Sequence, residues 1–461
     1  MNKKNIIIII SILVVGLIIA GLYGTFATSS TVSGSGNTYT ITLTGSSEEV
    51  VVPANGNKTV VYQVTNTTKG TVQYAIAYTG TNISVKIYSD STDEESGLID
   101  YGQNKFVKLY IENSGSSDST ASLKAILGYE NGGEIDSLIP SGYSIVSESY
   151  TSPVPLVTYI RNLYVNGNPE LITQSTSNDK YYYTNETVGL MNDGLNSLGN
   201  FITDTESLKN GTAGNIRYYG ENPGNYIDIG DRDGSGNVIP WRIIGLMKDV
   251  QLVDEDGKIK TQDLIKVARY EVLSSGLKWD EDSSNDWHNS SLQQYLNGDY
   301  YNQFSDTVKG KIAKVEWNLG GWITAEGLYP NDIYKYERFY SKCSSCTYDT
   351  VWNGNIALMY PSDYSYASNL KICGNDIVTY YNDTINCVDT NWLFNGNFHW
   401  TLMPYLNNSS HVWYLHSNGT FGGNGANSSL ESMVVPVLYL RPDLVVEMGD
   451  GSSSENAFVV K

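Results

Sequence analysis

The chain has 461 residues, 29 basic and 49 acidic, for a formal net charge of -20. So few Lys and Arg exclude a nucleic-acid binder, whose affinity comes from displacing cations from phosphates, and the same charge keeps the body of the protein off an anionic lipid surface. The rings (36 Tyr, 9 Trp, 9 Phe) exclude a disordered chain, which lacks such surface to bury. Only 17% of residues are charged, so hydrogen bonding at the surface falls to Asn, Ser, Thr and Tyr, as suits an extracellular protein.

Lys3 and Lys4 precede an apolar run from Ile6 to Ala27. A basic flank before such a run predicts a signal anchor over residues 1–30. At about 1.5 Å per residue, residues 6–27 as a helix just span a hydrocarbon core of roughly 30 Å. Everything after residue 30 is then outside the cell, on a single-pass protein. If the leader is cleaved after Thr25-Phe26-Ala27, the protein is secreted.

Residues 31–147 alternate apolar and polar, as in Tyr39–Leu43, Thr59–Val64 and Lys105–Ile111, between turn clusters such as Asn55-Gly56-Asn57. Seven or so short strands predict an all-β, immunoglobulin-like sandwich. The acidic run Asp93-Glu94-Glu95 reads as a solvated loop rather than a metal site. Residues 148–205 read as a helical linker: Pro155 precedes Leu156, Val157, Ile160, Leu163 and Tyr164 at helical spacing, and Met191, Leu195, Leu198 and Ile202 predict a second helix. From 206 to 461 the pattern predicts an α+β domain. Tyr226–Ile229, a polar turn over 231–237 and Ile239–Leu246 read as strand, turn, strand, with another hairpin turn at Asp254–Gly257. Ser290 and Ser305 can each cap a helix, the first ending near Gly298 and the second reaching Ile312. Strands are expected at His411–Ser417, Val434–Leu440 and Ala457–Val460.

Several pieces of this half resemble a bacterial cell-surface family of Gram-positive relatives, DUF6273. They are Asn215–Gly220, Asn222–Tyr226, the strand Trp241-Arg242-Ile243-Ile244-Gly245, Ser290–Asn297, Ile356–Tyr364, Trp400–Tyr405 and Gly449–Ser452. The resemblance implies a C-type-lectin-like fold, in the form shared with formylglycine-generating enzymes. The family's usual Val-Arg-Pro-Val strand here reads Val434-Val435-Pro436-Val437, so any role of that arginine is lost or moved. Tyr62–Asn66 and Val107–Asn113 resemble the immunoglobulin-like module that often precedes such domains. The expected fold is therefore multi-domain: a transmembrane or signal helix, an immunoglobulin-like sandwich, and an α+β C-type-lectin-like domain.

Four cysteines, Cys343, Cys346, Cys373 and Cys387, read as disulfides outside the cell. The preferred pairs are Cys373–Cys387, closing a loop of about fourteen residues worth roughly 3 kcal/mol, and Cys343–Cys346. A zinc site lacks a second close pair, and a redox Cys-x-x-Cys lacks its strand and helix. His411 and His416, five apart on one expected strand, face opposite ways. His288 and His399 stand beside Trp287 and Trp400 as structural imidazoles. Asp231, Asp233, Ser235 and Asn237 alternate like the start of a calcium loop, but Arg242 falls where a bidentate Glu is needed, so a hairpin turn is favoured. No catalytic residue, metal or cofactor is assigned.

Residues 391–427 interleave rings with asparagines, a mixture suited to sugars or a protein partner. The expected ligand-binding residues are Trp400, Tyr405, Asn407, Asn408, His411, Trp413, Tyr414 and Asn418, the last opening a glycosylation sequon with Gly419 and Thr420. The sequence thus predicts a membrane-tethered, non-enzymatic adhesion protein binding an extracellular protein or glycan. The alternatives are an enzyme related to the formylglycine-generating fold, needing a reduced cysteine pair or a metal, and a purely structural envelope protein.

Overall fold

The computed structural model describes residues 26–34, 37–45, 49–67, 71–88, 96–129, 139–147, 149–150, 154–173, 182–273, 277–322, 329–339, 350–373, 388–428 and 434–461. The chain divides into two compact units, Met1–Ser152 and Pro153–Lys461.

The first unit is two sheets over one core. One sheet runs Phe26–Gly34, Asn37–Gly45, Asn57–Asn66, Asn104–Asn113, Ile83–Tyr88, with Ser149–Tyr150 added parallel at its edge. The other runs Ser144–Ile145, Val72–Thr79, Ser119–Tyr129, Glu49–Val52, and Ser96–Ile99 also pairs with Val72–Thr79. Strand side chains alternate faces, so Tyr62 and Val64, Val107, Leu109 and Ile111, Val72, Tyr74 and Ile76, and Ala121, Leu123 and Ala125 fill a single interior. Two buried amides close the ends of neighbouring strands. Asn113 Nδ2 donates to the carbonyls of Val52, Pro53 and Ser117 while its Oδ1 accepts from Gly115 N, and Asn66 Nδ2 donates to Ile99 O.

The expected membrane helix is corrected at its end. Phe26 and Ala27 open the strand Phe26–Gly34, opposite Gly45 and Thr44. From Thr28 the chain is rich in Thr, Ser and Val, which suit a pleated surface and not a helix in lipid. Residues 1–25 of that expectation, like Asp93–Glu95, lie outside the described residues. Among the described residues no helix is long and apolar enough to cross a membrane.

The second unit is organised on one long hairpin, Trp241–Val253 against Ile259–Arg269. Its turn is set by Asp254, whose Oδ1 accepts from Asp256 N and Lys258 N. Trp241–Val253 also pairs with Ile216–Tyr218 and Tyr226–Asp228, and beyond Ile216–Tyr218 come Leu190–Asn192, Tyr182–Asn185 and Glu170–Thr173. Ile259–Arg269 pairs with Pro436–Leu440, which also takes Ile312–Ala313 and Ile356–Leu358. A separate three-stranded sheet holds His399–Pro404, His411–Leu415 and Phe421–Gly425. Trp241, Trp279, Trp287, Trp317, Trp322, Trp400 and Trp413 are all fully buried in one core.

The α+β expectation for this half is likewise corrected: strands dominate and the helices are short. The expected linker belongs mostly to this second unit. Its first helix is present, Leu156–Asn166, with Leu156, Ile160 and Tyr164 buried. The second is not. Leu190–Asn192 is a strand, Leu195 bridges to Phe201, and Leu198 is exposed. Side chains of Asn192, Asp193 and Asn196 accept from backbone amides two residues on, competing with helix formation, and Gly194 and Gly199 take positive φ. The Ser290-capped helix continues beyond Gly298 as a π turn over Leu296–Tyr300, and the Ser305-capped helix stops at Lys309 because Ile312 enters the sheet. At the calcium-like stretch, Asp233 Oδ1 accepts from Ser235 N and Asn237 N, which makes it a hairpin turn.

All nine tryptophans lie between residues 241 and 413, so their fluorescence reads the second unit alone. Asn113→Ala removes the buried amide of the first unit and should cost it about 2–4 kcal/mol. In urea, far-UV circular dichroism should show an earlier first-unit transition while the tryptophan transition stays in place; a shared shift would contradict the assignment.

Candidate functional site

The segment expected to present ligand-contacting rings is largely interior. Trp400 and Trp413 have no exposed surface and Tyr414 has little. Trp400 Nε1 donates to Leu277 O at 2.9 Å and Trp413 Nε1 to Trp322 O at 3.1 Å, and the Trp413 and Trp322 rings stack with centroids 4.8 Å apart. Tyr405 and His411 are half-buried, with Tyr405 packed on Trp413 at 4.9 Å and on His411 at 6.4 Å. Asn407, Asn408 and Asn418 stay exposed. Two of them hold turns: Asn408 Oδ1 accepts from Ser410 N and Asn418 Oδ1 from Thr420 N. His399–Pro404 is buried along its whole length, so no face is left for solvent.

His288 and His399 are each engaged by neighbouring groups. His288 lies within hydrogen-bonding distance of Asp286 Oδ1 and Val351 O. His399 Nε2 lies 2.6 Å from Asn395 Oδ1, and burial lowers its pKa to about 4, so the ring is neutral. Cys343, Cys346 and Cys387 lie outside the described residues. Cys373 ends the short helix Leu370–Cys373.

A buried ionic network ties the second unit together, and two of its members, Arg217 and Asp363, fall within the motifs at Asn215–Gly220 and Ile356–Tyr364. Asp193 accepts from Arg217 Nε and Asn215 Nδ2, each at 2.8 Å. Arg217 Nη1 reaches Asp363 at 3.2 Å, and Asp363 also accepts from Lys266 Nζ and from Tyr360 N. The Arg217 guanidinium lies over the rings of Tyr366 and Tyr334 at 4.8 and 5.2 Å. Burial pulls Arg217 down, but Asp193 and Asp363 more than offset it and hold its pKa above the ordinary value. Lys266 is lowered to about 8 by burial, against the pull of Asp363. Beside it, Glu337 accepts from Ser362 N at 2.8 Å and Ser362 Oγ at 2.6 Å, and burial pushes its pKa up to about 7. Wholly buried, these groups hold elements together.

An open surface of rings and amides lies elsewhere, in a cleft of 730 Å³ lined by Asn222, Tyr226, Arg242, Tyr270, Trp392 and Asn395 among others. Three loops build it. Asn225 clamps the first to the central hairpin: its Nδ2 donates to Ile243 O at 2.8 Å and its Oδ1 accepts from Arg242 Nε at 2.6 Å. Gly451, at φ 73°, seats the same loop from behind, since a Cβ there would lie 2.6 Å from Gly224 O. Asn391 fixes the second loop by donating to Tyr364 O and Ser368 Oγ at 2.8 Å each, and Trp392 Nε1 donates to Tyr218 O at 3.0 Å. Tyr270, 51% exposed, follows the strand Ile259–Arg269. The Arg242 guanidinium stands over Tyr226, Trp392 and Tyr270 at 4.1, 4.9 and 5.7 Å. Across the Glu221–Asn222 ridge lies a second hollow of 780 Å³, which reaches Asp450 and Ser452. Motifs far apart in sequence, at 222–226, 241–245 and 449–452, thus converge here. Trp392 and Asn395 belong to the segment singled out from sequence. Tyr226, Arg242 and Tyr270 do not, although an arginine inside the apolar run Trp241–Leu246 is a readable signal, because such residues are rarely buried without a purpose.

Comparison with known families finds a domain of unknown function, DUF6273, over residues 262–448. The chain carries that domain; Arg217, Arg242 and the motif at Gly449–Ser452 fall outside the match. No curated protein and no solved structure matches.

Two outcomes follow from the ionic network. Arg217→Met strands Asp193 and half-strands Asp363, so urea unfolding read by tryptophan fluorescence should lose about 3–5 kcal/mol; an unchanged midpoint would contradict the network's role. Glu337 is raised from 4.5 to about 7 in the fold, so the stability it lends is full below pH 4.5 and declines as pH rises to 7. Glu337→Gln should flatten that part of the profile, by on the order of a few kcal/mol, whereas an unaltered slope would place the titration elsewhere.

Proposed function

We propose that the second unit is a non-enzymatic binding module that presents the Arg242 cleft to an extracellular glycan or protein. The observation that carries this reading is the cleft itself: Tyr270 and Tyr226 offer ring faces, and Asn222 and Asn395 offer amides, at a surface held rigid from below by Asn225, Asn391 and Gly451. Rings paired with amides supply contact area and adaptable hydrogen bonding together, and the volume falls within the range of small-ligand sites, roughly 300–1,000 Å³. The low charge content and abundant Tyr and Asn support an extracellular setting. The resemblance of the motifs to domains of bacterial surface proteins supports the same reading.

The test is an array of glycans and extracellular proteins probed with the full chain and with Tyr270→Ala. That ring is exposed, so its loss should leave the unfolding curve unchanged while weakening the bound ligand about tenfold. Binding that survives both Tyr270→Ala and Trp392→Ala would move the site away from this cleft.

A further inference from the structure

Among the described residues, Arg242 differs from the other buried cations of the second unit, Arg217, Lys248 and Lys266, in having no carboxylate partner. It is 4% exposed. Its Nε donates to Asn225 Oδ1 at 2.6 Å, and its Nη2 to Asn222 Oδ1 at 3.2 Å and Pro223 O at 3.0 Å. All three acceptors are neutral amide oxygens. A guanidinium carries five N–H donors in a planar fork, and among the described residues Nη1 has no acceptor. By contrast Arg217 is paired with Asp193 and Asp363, Lys266 with Asp363, and Lys248 with Asp263. The carboxylates Glu221, Glu271 and Asp389 line the same cleft, but among the described residues no ion pair joins Arg242 to any of them. Burial lowers its pKa to about 10, so it remains a cation at neutral pH. Ring faces offset part of its lost hydration, and a buried charge without a counter-charge is otherwise costly.

We infer that the Arg242 cleft binds a sugar bearing a single carboxylate, with the carboxylate on Arg242 and the sugar ring against Tyr270 and Trp392. This rests on the binding reading above and names the ligand class for the same site. Nε and Nη2 are already engaged, so Nη1 is the free donor group, and a carboxylate oxygen can accept from it in a charge-assisted hydrogen bond. Glu221, Glu271 and Asp389 at the rim, and the net charge of -20, disfavour a multiply charged partner such as an acidic peptide. A sugar with one acid group brings one negative charge, a set of neutral hydroxyls for Asn222 and Asn395, and an apolar ring face for stacking.

The experiment is calorimetric titration of the full chain with glucuronic acid- and sialic acid-terminated oligosaccharides, their neutral counterparts, and an acidic peptide. The acidic sugars should bind at least tenfold tighter than the neutral ones. Arg242→Gln should abolish that preference while leaving neutral-sugar affinity in place, and Tyr270→Ala should weaken both sugars alike. Should Arg242→Gln fail to fold by tryptophan fluorescence, Arg242→Lys keeps the charge, removes the fork, and should shrink the preference severalfold. Equal affinity for acidic and neutral sugars would overturn the anion site and leave the binding module standing. Binding of the acidic peptide alone would overturn the sugar assignment. Silence toward every sugar would overturn this inference, and only silence on the protein array as well would remove the module.

Discussion

The second unit depends on a charge balance struck in its interior. Arg217 and Lys266 meet Asp193 and Asp363 with essentially no exposed surface, where each ion left alone would cost several kcal/mol. The balance is spread over elements far apart in sequence: a loop before residue 200, the strands Ile216–Tyr218 and Ile259–Arg269, and the helix Pro361–Tyr366. Lys266 and Asp363 fall within the DUF6273 match, while Asp193 and Arg217 precede it. The matched segment therefore does not complete its own interior. Trp241–Val253, also before the match, forms the other half of the central hairpin.

Neighbouring strands of one sheet place two buried arginines in opposite circumstances. Arg217, on Ile216–Tyr218, is neutralised by two carboxylates and held between tyrosine rings. Arg242, on Trp241–Val253, has amide oxygens, rings and an open cleft. The first arrangement is balanced in charge within the chain and serves stability, although its Nη2 also lacks an acceptor among the described residues. The second leaves a donor without an acceptor at a surface of rings and amides, where an incoming anion can complete it.

Local chemistry was legible in the sequence wherever a short rule governs it. The alternation at Thr59–Val64 and Lys105–Ile111, the Pro155-led helix, the Ser290 and Ser305 caps and the Asp254 turn all formed at their expected places. Helical spacing failed at Met191–Ile202, where three short polar side chains satisfy the backbone locally and two glycines take positive φ. At 391–427 the mixture of rings and asparagines did not report burial: the strand His399–Pro404 is covered on both faces, and nothing local reports what packs over it. Trp392 and Asn395 lie in the segment that the sequence singles out, while Arg242 was visible only as a charge in an apolar run. Its lack of a counter-charge is a tertiary fact, since the residues around it come from loops more than a hundred positions apart.

The most direct measurement is a crystal structure of the full chain with a glucuronic acid-terminated oligosaccharide bound. The account places the carboxylate within about 3 Å of Arg242 Nη1, with the sugar ring lying against Tyr270 or Trp392. A ligand seated instead on the Asn407–Asn418 hairpin, or in the cleft with its carboxylate turned to solvent, would contradict it.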